Sequence, residues 1–191
     1  MRVVGLVGSP RRGRNTATLV QKVLDGAKSQ GAEVKLLYLM GISPCLACDL
    51  CKEKRSCVQD DAMQPIYALL DEAQGIVIGS PIYFDHISAQ TKTFFDRLYR
   101  YIGPNMEHRF HPGVRAVIVL TWEALNPQAY EGVADWLQER LRYYLGIETV
   151  ERLLAAQTGR HPVGEREDLL QRAFQAGVKL AHACREVPTA N

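Results

Sequence analysis

Short β-branched apolar runs alternate along this chain with longer stretches in which apolar residues recur every three or four positions. Val3–Val7 is apolar at every position except Gly5, the pattern of a strand covered on both faces. From Thr16 to Ser29, Leu19, Val20, Val23, Leu24 and Ala27 share one helical face. A second strand is expected over Glu33–Leu39. An irregular segment follows to Ala62, overlapping a helix that Asp60 or Asp61 caps and that runs to about Glu72, with Pro65 tolerated in its first turn. Ile76, Val77 and Ile78 mark a third strand over Gly75–Gly79, and Ser88–Tyr101 returns to helical period with Phe94, Phe95, Leu98 and Tyr101 inward. Val114–Leu120 reads as a fourth strand, Pro127–Leu145 as a helix closed by Gly146, Glu148–Ala155 as a fifth strand, and Glu165–Arg185 as a last helix before a loose tail from Pro188.

Strands separated by helices require crossover connections and therefore a parallel sheet. Five strands alternating with five helices suit a flavodoxin-like, doubly wound α/β fold of strand order 2-1-3-4-5, here as a single domain over residues 1–191. In such a sheet ligands bind beyond the carboxyl ends of the strands, so the loops at that edge are the ones to read. The net charge of +2 gives no bulk attraction to nucleic acid. The first apolar run is broken by Gly8, Ser9 and Pro10, too early for a signal peptide, and no stretch reaches membrane-spanning length. A soluble, cytoplasmic protein without membrane or nucleic-acid partners is the expectation.

The loop after the first strand reads Gly8-Ser9-Pro10-Arg11-Arg12-Gly13-Arg14-Asn15-Thr16. A helix N-terminus with unpaired N–H groups, neutral donors from Ser9, Asn15 and Thr16, and nearby arginines can bind a monophosphate. The sequence lacks both a Walker lysine and the dinucleotide glycine pattern. An ordinary turn capped by Asn15 or Thr16 is the other reading. After the third strand, Pro81-Ile82-Tyr83-Phe84 brings two aromatic rings to the same edge, where they wall a flat ring or join a subunit contact. Trp122, after the fourth strand, either walls that pocket or packs beneath the next helix. His108 and His111 lack an acidic partner that would complete a metal motif.

Of five cysteines, Cys45, Cys48, Cys51 and Cys57 fall within residues 40–62, in a loop that follows the second strand. Two-residue spacings let thiolates curl about one small metal centre. The run resembles the start of a bacterial ferredoxin motif more than the separated pairs of a zinc site. Zinc and a metal-free loop remain the alternatives. Lys52, Lys54 and Arg55 would partly offset an anionic cluster. Cys184, on the last helix, reads as a small buried residue.

The Gly-Ser-Pro-Arg loop with Asn15-Thr16, and Pro81-Ile-Tyr-Phe followed by Ser88-Ala-Gln and Phe-Asp96-Arg97, resemble the NADPH-dependent FMN reductase family. The Cys45–Cys57 run before Asp60-Asp61-Ala-Met63 resembles its iron–sulfur flavoprotein branch. The resemblance implies FMN, with Ser9, Arg11, Asn15 and Thr16 at its phosphate and Pro81, Ile82, Tyr83 and Phe84 lining its ring. Ala17, Ser88 and Trp122 complete the candidate FMN contacts. It also implies a 4Fe-4S cluster on Cys45, Cys48, Cys51 and Cys57, a homodimer or homotetramer, and no catalytic side chain. Function is then electron transfer from ferredoxin or a similar donor. An NAD(P)H-dependent FMN or quinone reductase with a structural or empty cysteine loop is the alternative. Asp85 and His86, and Trp122 with Glu123, stand where relatives often carry smaller residues or glycine.

Overall fold

The computed structural model describes residues 1–186; the tail expected from Pro188 lies outside the described residues. Its elements are β1 (Arg2–Val7), α1 (Asn15–Ser29), β2 (Glu33–Tyr38), α2 (Leu50–Lys54), α3 (Met63–Leu70), β3 (Gly75–Tyr83), β4 (His86–Ile87), α4 (Ala89–Arg97), β5 (Arg115–Thr121), α5 (Glu131–Leu145), β6 (Glu148–Ala155) and α6 (Glu167–Arg185). The sheet runs β2-β1-β3-β5-β6, all pairs parallel. That is the expected order 2-1-3-4-5 once β4, a two-residue strand antiparallel to β3, is set aside.

The central strands β1, β3 and β5 are apolar at nearly every position because both faces are covered, whereas the edge strands β2 and β6 carry Glu33, Lys35, Glu148, Glu151 and Arg152. Val4, Leu6, Ile76, Ile78, Ile118 and Leu120 point into one core with residues of α3, α4 and α5. Their neighbours Val3, Val7, Val77, Val117 and Val119 point into the other, with α1 and α6. Each fully buried side chain of this kind contributes roughly 1.5–3 kcal/mol. Helices α1 and α6 meet backbone to backbone: a β-carbon on Gly177 would stand 1.9 Å from the Val23 carbonyl oxygen, and one on Gly26 2.0 Å from that of Phe174.

Several boundaries differ from expectation. Strand β3 does not end at Gly79 but continues to Tyr83, because Ile82 and Tyr83 pair with Ile87 and His86. Phe84 and Asp85, with φ of 46° and 60°, make the two-residue turn, the left-handed geometry that matches strand twist. The helix expected from Pro127 begins at Glu131. The Asn126 side chain accepts the Gln128 N–H at 2.9 Å and holds the intervening residues in a turn. The final turn of the helix expected to reach Tyr101 tightens to 3-10 geometry over Leu98–Tyr101. Asp61 serves the start of α3, its carboxylate accepting the Met63 N–H at 3.0 Å. The irregular cysteine segment contains one short helix, α2.

Candidate functional site

The loop from β1 to α1 closes on itself before it meets any ligand. The Ser9 hydroxyl accepts the Arg11 N–H at 3.2 Å, and Gly13 N–H donates to the Tyr38 hydroxyl at 3.1 Å. Arg14 precedes α1 without a capping side chain, and no acidic residue occupies the first turn. The first N–H groups of α1 therefore face the sheet edge with the helix dipole behind them, a site for an anion. Arg11 and Arg14 are exposed at its rim. Thr16 is buried and shares a 2.8 Å hydrogen bond with Thr121 on β5.

The Asn15 side chain reaches across to the loop after β6. Its amide nitrogen donates to the Thr158 carbonyl at 2.7 Å, and its amide oxygen accepts the Val163 N–H at 3.0 Å. Both ends of the side chain hold the loop after β6 against the start of α1. Asn15→Ala removes two partly buried hydrogen bonds at roughly 1 kcal/mol each. The expected result is a loss of about 1–2 kcal/mol in urea unfolding. Greater proteolytic sensitivity at residues 157–162 accompanies it.

The other wall is the β3–β4 hairpin. Its root is held by buried hydroxyls: Ser88 Oγ donates to the Gly8 carbonyl at 2.7 Å and accepts the Thr91 N–H at 3.2 Å, and Thr91 Oγ1 donates to Ser80 Oγ at 3.0 Å. Ser88 thus caps α4 and ties the first loop to the third. At the hairpin tip, the Tyr130 hydroxyl donates to Asp85 at 2.7 Å. Trp122 packs its edge on Tyr130, with centroids 5.4 Å apart, and donates Nε1–H to the Asn126 carbonyl.

These elements enclose a cleft of about 330 Å³ lined by Ser9, Arg11, Asn15 and Thr16 on one side and Pro81, Ile82, Tyr83 and Trp122 on the other. Trp122 lines the cleft, and its contacts with Tyr130 and Asn126 lie in the loop that leads to α5. Three candidates do not line it. Ala17 faces the α1–α6 core, Ser88 is fully buried behind Gly8, and Phe84 is fully exposed because its turn geometry carries its side chain off the end of the hairpin. Arg14, Glu123, Thr121, Thr158 and Gly159 also line it, and of these Thr121, Thr158 and Gly159 were not singled out from the sequence. The last two sit after β6, at the same carboxyl edge, and the strand-end rule alone could have found them. Glu123 accepts the Gly159 N–H and closes that rim.

The cysteine segment wraps the same edge beyond β2. Ala47, Asp49 and Arg55 have φ of 50°, 58° and 56°, a costly conformation for residues other than glycine. They bend the chain back between successive cysteines. Cys45 and Cys48 are exposed, while Cys51 and Cys57 are partly buried. Burial pushes the Cys51 thiol up; Lys52 opposes this and the neighbouring Cys57 and Cys45 add to it. The four thiols are not drawn into a closed cage: among the described residues no three His, Cys, Asp or Glu side chains are set to hold a metal ion. The donor chemistry, four thiols and no imidazole, fits an iron–sulfur cluster. Beside Cys45 lies a groove of about 790 Å³ lined by Phe95, Tyr99, Met106, Trp136 and Tyr144.

Behind the loop, Arg97 is buried to 1% exposure and pairs with Asp61 at 2.6 Å. Burial opposes the Arg97 charge, but the bonds to Asp61 and Tyr67 outweigh it and its pKa rises. Burial likewise favours a neutral Asp61, yet Arg97 and the N–H groups of Ser43 and Met63 hold its carboxyl below the usual range. Both groups are therefore charged at neutral pH.

A family described as NADPH-dependent FMN reductase matches residues 1–129, a span that includes the first and third loops, Cys45, Cys48, Cys51 and Cys57, and Trp122. An iron-sulfur flavoprotein of Methanocaldococcus jannaschii is 39% identical over 99 residues, 51% of this chain and 51% of the relative. One of Archaeoglobus fulgidus is 34% identical over 186 residues, 96% of this chain and 80% of the relative. The matched part is thus about half the length of the first and four fifths of the second. An FMN-dependent NADH-azoreductase from Bacillus anthracis, solved in complex with FMN, superposes with a TM-score of 0.69 at 15% identity, covering 95% of this chain and 100% of that one. The last comparison shows the shared fold. Among the described residues no helix is long and apolar enough to cross a membrane.

Proposed function

Because this chain belongs to the iron-sulfur flavoproteins of the NADPH-dependent FMN reductase family, we propose that it is a flavin-dependent electron-transfer protein. It binds FMN in the carboxyl-edge cleft and a 4Fe-4S cluster on Cys45, Cys48, Cys51 and Cys57. One observation carries this reading. The uncapped start of α1 and the Tyr83 and Trp122 walls converge on a single cleft at the sheet edge that also bears the four-cysteine loop.

The phosphate is held by the N–H groups opening α1, with Arg11 and Arg14 at the rim. Pro81, Ile82, Tyr83 and Trp122 exclude water from the ring. Ser88 acts through Gly8, and Asn15 through the rim at Thr158. When bound, FMN supplies one- and two-electron chemistry and the cluster single electrons, so no acid, base or nucleophile is assigned to a side chain. The electron donor is a ferredoxin or similar reductant, and the apolar groove beside Cys45 supports assembly as a homodimer or homotetramer.

The test is quantitation of flavin, iron and acid-labile sulfide in protein purified without oxygen. The expected result is one FMN and roughly four iron and four sulfide per chain. Flavin without iron or sulfide, bleached directly by NAD(P)H, overturns it in favour of a reductase with an empty cysteine loop.

A further inference from the structure

We propose that Arg97 is a positioning residue that holds the cysteine loop through Cys57 and raises the reduction potential of the cluster; this rests on the cluster reading above. Arg97 lies at the end of α4, buried to 1% exposure. Its Nη2–H donates to the Cys57 sulfur at 3.4 Å and to Asp61 Oδ1 at 3.2 Å. Its Nη1–H donates to the Ser43 carbonyl at 2.8 Å and to Asp61 Oδ2 at 2.6 Å. Asp61 in turn accepts the Ser43 N–H at 2.8 Å. One guanidinium thus gathers the entry to the loop, its last cysteine and its exit.

Among the described residues Cys57 is the one loop cysteine whose sulfur accepts a side-chain hydrogen bond. Simple anchoring of a loop does not call for a buried charge, since an ion pair out of water often gains nothing over apolar packing. A fixed cation with an N–H directed at a ligand sulfur has a further consequence. One-electron reduction adds negative charge to a cluster and its sulfurs, and a donor at that sulfur stabilises the reduced state. Asp61, facing the same guanidinium, opposes this by partial neutralisation. No bond breaks in the step; the cluster gains one electron from the reductant.

The two partners therefore shift the potential in opposite directions. In anaerobic titrations with dithionite, followed by electron paramagnetic resonance, Arg97→Gln lowers the reduction equilibrium constant about tenfold and Asp61→Asn raises it about tenfold, each about 59 mV for a one-electron couple. Arg97→Lys, which keeps the charge without the planar fork, gives a smaller decrease than Arg97→Gln. If the two residues only brace the loop, both variants lose cluster occupancy alike and the clusters that remain keep the wild-type potential; that outcome overturns the proposal. Where an Arg97 variant does not fold, Asp61→Asn decides alone, since an unchanged or lowered potential contradicts the argument. Failure of the wild-type chain to take up iron and sulfide sinks the cluster reading itself, whereas loaded wild type with unshifted variants sinks only the role of Arg97.

Discussion

Cys48→Ser and Cys51→Ser each remove iron and acid-labile sulfide from the purified protein while FMN stays at its wild-type stoichiometry. Loss of an outer partner of a metal ligand already costs about 10–100-fold in affinity, so loss of a ligand should exceed about tenfold. The flavin is spared because no loop cysteine lines the cleft proposed for FMN. Cys184→Ser is the matched control. That thiol is buried, donates to the Gln74 carbonyl at 3.1 Å, and is pushed by burial to about 11. It lies on α6, remote in function from either site, and its replacement leaves iron, sulfide and flavin unchanged. Metal analysis alongside flavin absorbance reads all three. Iron retained in Cys48→Ser, or flavin lost in step with it, would contradict the assignment of separate sites.

Gly8→Ala has the largest effect expected at the flavin cleft. Gly8 directly follows β1, with its N–H donating to the Gly79 carbonyl at 2.8 Å and its carbonyl accepting from Ser88. A β-carbon there would stand 1.8 Å from Thr91 Oγ1 and 3.0 Å from Ser88 Oγ. Both hydroxyls belong to the buried network with Ser80, so neither can swing to solvent. Overpacking of this kind costs about 1–3 kcal/mol, and in a chain of this size each kcal/mol lowers Tm by about 2–4 °C. If about 1.4 kcal/mol of the strain is expressed at the phosphate loop, FMN binds tenfold more weakly. Gly13→Ala makes the comparison sharp. Gly13 has a φ of +64° but open space around a built β-carbon. It should show only a backbone cost of about 1–2 kcal/mol with little change in flavin affinity. Fluorescence titration with FMN separates the two; equal affinities in Gly8→Ala and wild type would show that the hydroxyl network does not position the loop.

The strand order was legible because parallel strands buried on both faces must be apolar at nearly every position. The runs around Val4, Val77 and Val117 and the 3.6-residue period of α1, α4 and α6 announce themselves in one dimension. Ser9, Arg11, Thr16, Pro81, Ile82, Tyr83 and Trp122 were legible as neighbours for the same reason: strand order places the loops that follow β1, β3 and β5 side by side. The placing of four cysteines in one loop after β2 was legible from their spacing.

Other features depend on contacts between residues far apart in the chain. Phe84 and Tyr83 are adjacent and both aromatic, yet a two-residue turn sends one off the tip of the hairpin and leaves the other on the cleft. Asn15 is spent on Thr158 and Val163, more than 140 residues away, and no local pattern encodes that pairing. Arg97 enters the sequence reading only as part of the Phe-Asp96-Arg97 run, and no local pattern shows that it is buried beside Asp61 and Cys57. The amino-acid sequence by itself determined which segments form the sheet, which loops share its carboxyl edge and which loop carries the four closely spaced thiols, because periodicity and spacing are local. Only the tertiary structure decided which polar side chains face the cleft and which brace it, because a hydrogen bond is short and directional, and its partner is set by packing across the sheet.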